Sequence, residues 1–345
     1  MISLRGIPAL ALLLLAPGVR AEAPAPSPTT PDLVAAATRE GKLAFYTSID
    51  LEVAQRLGKA FEAKYPGITV DVERSGAERI YQRIFQESGS NIHTVDVVES
   101  SDASHLVDYK RKGLLAPYVA EDAARWPATQ RDPDGTFAAE RVMLTIVAYN
   151  TKLVEPAEAP KSYADLLDPK WKGKMVKSHP GYSGNTMTAT YELSVALGWP
   201  YFQKLGQQQI LQVQSSTEPP KKLALGERAV MVDGNEYNVL IDQKRGAPIK
   251  IVYPTEGTPL VAGMAGLMKE APHPNAARLF VNWLFSREGQ QFLVSEGQLR
   301  SFHPDITEPA DRTPLKSIKT LTADPVAQEK AVEEIKRKYA EYFGT

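Results

Sequence analysis

The 345-residue chain contains no cysteine, which excludes disulfides, thiolate zinc sites and a lipid-modified N-terminal cysteine. Neither charge is in excess. Forty Lys and Arg against 41 Asp and Glu leave a formal net charge of −1, so the basic surface of a nucleic-acid binder is missing. The five histidines include no pair at i, i+4, the spacing that would set two on one helix face for a metal. The N-terminal apolar run, Ile7 to Ala16, is too short to span a bilayer comfortably. With Arg5 ahead of it and Val19-Arg20-Ala21 or Ala21-Glu22-Ala23 behind it, it reads as a cleavable signal peptide over residues 1–23, an uncleaved anchor being the alternative. Cleavage would release the protein into a periplasm. Residues 24–31, within EAPAPSPTTP, form a Pro-rich leader expected to lack fixed structure.

What is present describes a globular protein: 43% hydrophobic and 23% charged residues. The length suits two compact lobes better than one modest core. Leu43–Thr47 reads as a buried strand, followed by a helical stripe through Val53, Leu57 and Phe61 that Pro66-Gly67 breaks. Ile68, Val70 and Val72 alternate as a second strand, and a helix through Ile80, Ile84 and Phe85 leads to a third at Val95–Val98. This βαβαβ order predicts an open, largely parallel α/β sheet, with the turns after its strands gathered along one ligand-binding edge. The pattern recurs later. Strands are expected at 141–149, 174–177, 229–232 and 249–253, with helices at about 185–197, from Pro219 to Gly226 and from Asn235. A turn-rich crossing at Gly257, Pro259 and Gly263 precedes a short strand at 265–268, and Ala276, Leu279, Phe280, Trp283 and Leu284 make one helical stripe. Ser286 caps a further helix, and Asp324–Phe343 is a charged amphipathic helix on the outside.

The wording of the segment "YPTEGTPL…GLMKEAPHPNAARLFVNWLFSREGQ", together with "YNTKLV" and "DLLDPKWKGKMV", resembles periplasmic solute-binding proteins of the ferric-iron-type family, the receptors of ABC importers. The resemblance implies a two-lobe, hinge-connected periplasmic-binding-protein fold (type II) of α/β class. Lobe 1 would take residues 32–139 and the return segment 260–310, lobe 2 residues 140–259, and the helical tail 311–345. It further implies a monomer without cofactor that hands a small-molecule solute to an inner-membrane permease, and that is not an enzyme.

The candidate ligand residues sit at strand-following turns. Ser183, Gly184, Asn185 and Thr186 open a helix, where free backbone N–H groups and the dipole favour an anion; the plainer reading of Ser183 is a helix cap. Ser75, Gly76 and Arg79 form a second anion-type group, and Arg79 can meet a carboxylate or phosphate bidentately unless it is merely a solvated helix charge. Ser48 and Asp50 end the first strand and Ser101 the third, with capping as the alternative for Asp50. Asn235, Glu236 and Tyr237 fall where ferric members carry two adjacent tyrosines. One tyrosine is present here, so a small organic anion or zwitterion (a phosphonate, phosphorylated or carboxylated solute) suits the chain better, with Glu236 meeting an amine. Fe(III) held by Tyr237 with Glu236 or Asp50 is the alternative. Gly181-Tyr182-Ser183-Gly184 also approaches a hydrolase elbow, but Asn185 stands where that motif needs glycine.

Overall fold

A computed structural model of the chain describes residues 23–344; the signal-peptide assignment therefore falls, except for Ala23, outside the described residues. The strands are β1 (Lys42–Thr47), β2 (Thr69–Arg74), β3 (Val97–Ser100), β4 (Leu115–Ala116), β5 (Phe137–Asn150), β6 (Met175–Ser178), β7 (Leu211–Val213), β8 (Val230–Asn235), β9 (Ile249–Val252), β10 (Thr258–Met268) and β11 (Thr320–Leu321). The helices are α1 (Pro31–Glu40), α2 (Leu51–Lys64), α3 (Ala77–Gly89), α4 (Ala103–Arg111), α5 (Gly184–Leu197), α6 (Trp199–Gly206), α7 (Glu218–Ala224), α8 (Glu236–Lys244), α9 (Pro274–Phe285), α10 (Arg287–Ser295) and α11 (Pro325–Phe343).

The strands run in the order β2-β1-β3-β10-β5-β8-β6-β7. In lobe 1, β1 pairs in parallel with β2 and β3, and β10 closes that edge antiparallel to β3. In lobe 2, β6 pairs in parallel with β7 and β8, and β5 lies antiparallel to β8. Two long strands join the halves. β5 pairs with β10 from Phe137 to Leu144, then with β8 and β9 from Thr145 onward, so the chain changes lobe within an unbroken strand. The expected boundaries at 139/140 and 259/260 fall within or beside these two strands. One core unites buried residues from Ala37 to Trp126 with the return helices, and two further cores cover the faces of the second sheet.

Two expectations are corrected. Pro259 and Gly263 lie inside an 11-residue strand instead of a turn-rich crossing. Proline is tolerated one residue from the strand's start, and Gly263 leaves room for a guanidinium: a Cβ there would lie 2.6 Å from Arg141 Nε. The Pro-rich leader is docked, its Ser27 N–H donating to the Val119 carbonyl at 2.9 Å and Thr30 capping α1. Helix α1 itself escapes the periodicity reading; its last residue, Glu40, accepts from the Asn275 and Ala276 N–H groups at the start of α9.

Candidate functional site

In both lobes the helices that follow the parallel strands start at the same edge of the sheet. Asp50 caps α2 (Oδ1 accepts from Glu52 N–H, 3.1 Å) and Asp102 caps α4 (Oδ1 accepts from Ser104 N–H, 3.0 Å). In lobe 2, Ser183 caps α5, accepting from Thr186 N–H at 3.3 Å, while Asn235 precedes α8 without a side-chain capping bond.

Between these starts lies a buried charge cluster. Arg141, 1% exposed, donates through Nη2 to Glu99 Oε1 (2.5 Å) and to Ser48 Oγ (3.2 Å), and through Nε to Glu140 Oε1 (2.7 Å). Glu99 in turn accepts from Thr47 Oγ1 and Ser48 N–H, and Ser48 Oγ accepts from Ser101 N–H at 3.1 Å. Tyr237 reaches from lobe 2 into this cluster, its hydroxyl accepting from Asp50 N–H at 3.2 Å. Burial pushes the Tyr237 phenol up to about 12, against the pull of Arg141, so it is a neutral hydroxyl at any ordinary pH.

The two edges are closed on one another. Arg74 donates to the Ile49 carbonyl (3.1 Å) and across the cleft to Ser215 Oγ (3.0 Å). Arg79 Nη2 donates to Gln214 Oε1 at 2.7 Å. A Cβ on Gly76 would stand 2.8 Å from the Tyr182 carbonyl oxygen, and one on Gly184 2.8 Å from Asp102 N, so glycine at both places permits backbone of one lobe to meet the other. Thr186 Oγ1 donates to Ser183 Oγ at 3.1 Å. Asn185 Nδ2 donates to Thr145 Oγ1 (2.9 Å), and Asn235 Nδ2 to Ser216 Oγ (3.2 Å) and Asn238 Oδ1 (3.0 Å). Their carboxamide oxygens, Asn185 Oδ1 and Asn235 Oδ1, are buried with no partner among the described residues. Between α2 and α8 a cavity of about 300 Å³ is lined from both lobes by Asp50, Arg56, Lys221, Asn238, Asp242 and Arg245.

Most of the residues singled out in the sequence are thus brought to one cleft: Ser48, Asp50, Ser75, Gly76, Arg79 and Ser101 from lobe 1, Ser183, Gly184, Asn185, Thr186, Asn235 and Tyr237 from lobe 2. Asp50 faces the cleft with its N–H, its carboxylate being used as a cap, and Ser75 N–H is spent on the Thr47 carbonyl. Glu236 is the correction. Its carboxylate accepts from Arg300 Nη2 (2.8 Å) and Nε (2.9 Å), Arg312 Nη2 (2.5 Å) and Tyr253 OH (2.5 Å). Burial opposes its ionisation, but the two guanidiniums outweigh it and hold the group below the usual carboxylate range. So placed, Glu236 ties α8 to the return segment and has no oxygen left for an amine or a metal. The oxygen set Tyr237, Glu236 and Asp50 is therefore not assembled, and among the described residues no three His, Cys, Asp or Glu side chains converge as metal ligands. His273 pairs with Asp96 at 2.9 Å and His303 lies 3.6 Å from Asp122, both on lobe 1; neither serves Ser183.

Sequence reasoning misses Arg74, Glu99, Arg141, Gln214 and Ser215. Two carry a signal. Arg74 immediately precedes the Ser75-Gly76 turn, and Glu140-Arg141 is a charged pair opening an otherwise apolar strand; a charge buried there must be partnered. The others acquire meaning only once the lobes meet.

Comparison with known proteins agrees with this architecture. A 2-aminoethylphosphonate-binding periplasmic protein, so described putatively, of Salmonella typhi is 28% identical over 236 residues, 66% of this chain and 67% of its own. The Fe(3+)-binding periplasmic protein of Serratia marcescens is 25% identical over 241 residues, 67% and 70% of the two chains. The periplasmic binding protein AfuA from Actinobacillus pleuropneumoniae, solved with exogenous fructose-6-phosphate bound, superposes with a TM-score of 0.80 at 23% identity, covering 88% of this chain and 99% of that one. The model of the bacterial extracellular solute-binding proteins matches residues 47–291, most of the described chain. With two lobes closing on a polar cleft and that match spanning both, the chain belongs to the bacterial extracellular solute-binding protein family.

Proposed function

We infer that this protein is a periplasmic receptor that captures a small organic anion or zwitterion, such as a phosphonate, sugar phosphate or carboxylate, and delivers it to an ABC permease in the inner membrane. It reaches the periplasm by a cleavable signal peptide, acts as a monomer and performs no catalysis. The observation that carries the reading is the chemistry at the cleft. The start of α5 presents backbone amides under a neutral serine cap, which favours an anion. The guanidiniums of Arg74 and Arg79 reach across the cleft from lobe 1, to Ser215 and Gln214. The unpartnered carboxamide oxygens of Asn185 and Asn235 accept from hydroxyl or ammonium groups on the same solute. Relatives named for an aminophosphonate and a sugar-phosphate complex in the shared fold support that ligand class. With Glu236 held by Arg300 and Arg312 and the Asp50 carboxylate spent as a helix cap, Tyr237 is left without partners for the Fe(III) alternative.

The solute enters while the lobes are apart, and rotation about β5 and β10 closes them over it. Micromolar capture needs about −8 kcal/mol. A handful of charge-assisted hydrogen bonds at roughly 1.5–3 kcal/mol each supplies that after the cost of closure. The test is a melting-temperature panel of aminoalkylphosphonates, hexose phosphates, small dicarboxylates and ferric citrate, with a visible spectrum of each mixture. A cognate anion at a hundred times its Kd should stabilise the fold by about 2.7 kcal/mol and leave the solution colourless. A coloured tyrosinate–iron complex, with no response to any anion, overturns the reading.

A further inference from the structure

The C-terminal helix α11 lies across both lobes. Its second half belongs to lobe 2. Tyr339, 1% exposed, accepts through its hydroxyl from the buried Lys177 at 2.8 Å and donates to Gln212 Oε1 at 2.7 Å, while Lys338 stands over the Trp199 ring at 4.6 Å. Its first half reaches lobe 1, where Glu329 pairs with Arg111, and further along Lys336 Nζ lies 3.7 Å from Glu78. Near the start of α11, ahead of these ties, one side chain touches both lobes at once. The amide nitrogen of Gln328 donates to Asp102 Oδ1 in lobe 1 (2.8 Å) and to Thr188 Oγ1 in lobe 2 (3.0 Å), and the residue is 1% exposed. Thr188 Oγ1 in turn lies 3.5 Å from the Ser101 carbonyl across the cleft.

We propose that Gln328 is a positioning residue that pins the lobes shut from outside the cleft, so that α11 sets how much of the solute-free receptor is closed. Hinge opening separates Asp102 from Thr188, and one amide group cannot follow both. The N–H group that loses its acceptor must be rehydrated, and until water reaches it the broken bond opposes opening. One of the two acceptors is a carboxylate, which makes that contact the stronger kind. Apparent affinity scales with the closed fraction, Kd,app = Kd,intrinsic/f. Gln328 thereby tunes affinity for the solute without a contact to it. The inference rests on the two-lobe closing motion proposed above, though not on the identity of the solute.

The absence of cysteine makes the experiment direct. Cysteines introduced at the exposed Lys59 on α2 and Lys244 on α8 carry spin labels on either side of the cleft, and pulsed EPR reads their separation in solute-free protein. Three backgrounds are compared: unaltered, Gln328→Ala, and Gly184→Val. The last wedges the lobes apart, because its Cβ would meet Asp102 and Ala77. The expected result is a dominant short separation in the unaltered protein. In Gln328→Ala its ratio to the long separation should fall at least tenfold, with the melting transition still cooperative. If Gly184→Val lengthens the separation and Gln328→Ala leaves it unchanged, the pin is wrong while the closing motion stands. If neither variant changes it, the closing motion itself fails, and the pin with it.

Discussion

The two lobes share one plan and differ in how they end their strands. In lobe 1 the first strand lies between the second and third, and the returning β10 closes the edge; in lobe 2, β6 lies between β7 and β8, and β5 closes the edge in the same sense. Matched strand for strand, the start of α2 corresponds to that of α5, and the start of α4 to that of α8. The caps are not alike. Lobe 1 uses Asp50 and Asp102, whose carboxylates neutralise the positive ends of their helices. Lobe 2 caps α5 with Ser183 and leaves α8 without a side-chain cap at Asn235, and neither residue carries charge. For the anion proposed above, the uncharged start of α5 is the helix end of lobe 2 that attracts it, while lobe 1 contributes the guanidiniums of Arg74 and Arg79 beside the start of α3, which no aspartate caps.

The sharpest way to break this pairing of the lobes lies at α8. Where α4 begins with Ala103, α8 begins with Glu236, clamped by Arg300 and Arg312. Glu236→Leu leaves the buried Arg312 without a carboxylate and Arg300 with Glu308 alone, and the loss expected for such a broken pair is about 3–5 kcal/mol. Urea unfolding measures it, and a loss below about 1 kcal/mol would show that this residue is not what fixes α8 to the return segment.

A smaller effect tests the caps themselves. Ser183→Asp converts the start of α5 to the lobe 1 type. Aspartate and serine cap about equally well, but Ser183 is 5% exposed, so desolvating the new carboxylate should cost about 1–3 kcal/mol. Affinity for an anionic solute should fall by about a hundredfold, as a charge placed within a few ångströms in a closed cleft demands. The converse, Asp50→Ser, leaves the Asp50 N–H to Tyr237 contact in place and should raise anion affinity by no more than about threefold. Isothermal titration of both variants against the same anion decides. Equal effects in the two lobes would erase the asymmetry.

Much of this is legible in the order of residues alone. The alternation of strand and helix, the Gly-Pro stops, and the turns at 48–50, 75–79 and 183–186 follow from local periodicity and turn chemistry, which act within a few residues. The long strands do not. Pro259 and Gly263 read as punctuation, and only the neighbouring strands show that the first sits near an end and the second makes room for Arg141. Glu236 is legible as a polar residue at a helix start, yet its partners lie 64 and 76 residues further on. Neither spacing nor composition points to a pairing of that separation. Gln328 is the extreme case, a neutral residue on a helix that reads as external.

The last expected effect, graded with pH, concerns the seam, which belongs to neither lobe alone. Arg141 on β5 is shared by two carboxylates, Glu99 and Glu140, all three being almost fully buried. One guanidinium cannot neutralise both. Burial pushes the Glu140 carboxyl well above its ordinary 4.5, the attraction of Arg141 opposes that rise, and the charge of Glu99 adds to it. One of its oxygens, Oε2, has no partner among the described residues. The folded protein thus keeps a proton that the unfolded chain sheds. Glu140's contribution to stability is fully present below about pH 4.5 and is lost as pH rises toward the folded value, at a slope of at most about 1.4 kcal/mol per unit. Glu140→Gln retains an oxygen acceptor for Arg141 Nε and cannot ionise. Its stability relative to the unaltered protein should therefore rise as pH increases above about 5, read as paired melting curves at constant salt. Parallel curves would mean that Glu140 is ionised throughout, with Arg141 serving both acids. The seam would then carry a net negative charge facing the cleft, and lobe 1 would be a poorer partner for an anion than its two arginines suggest.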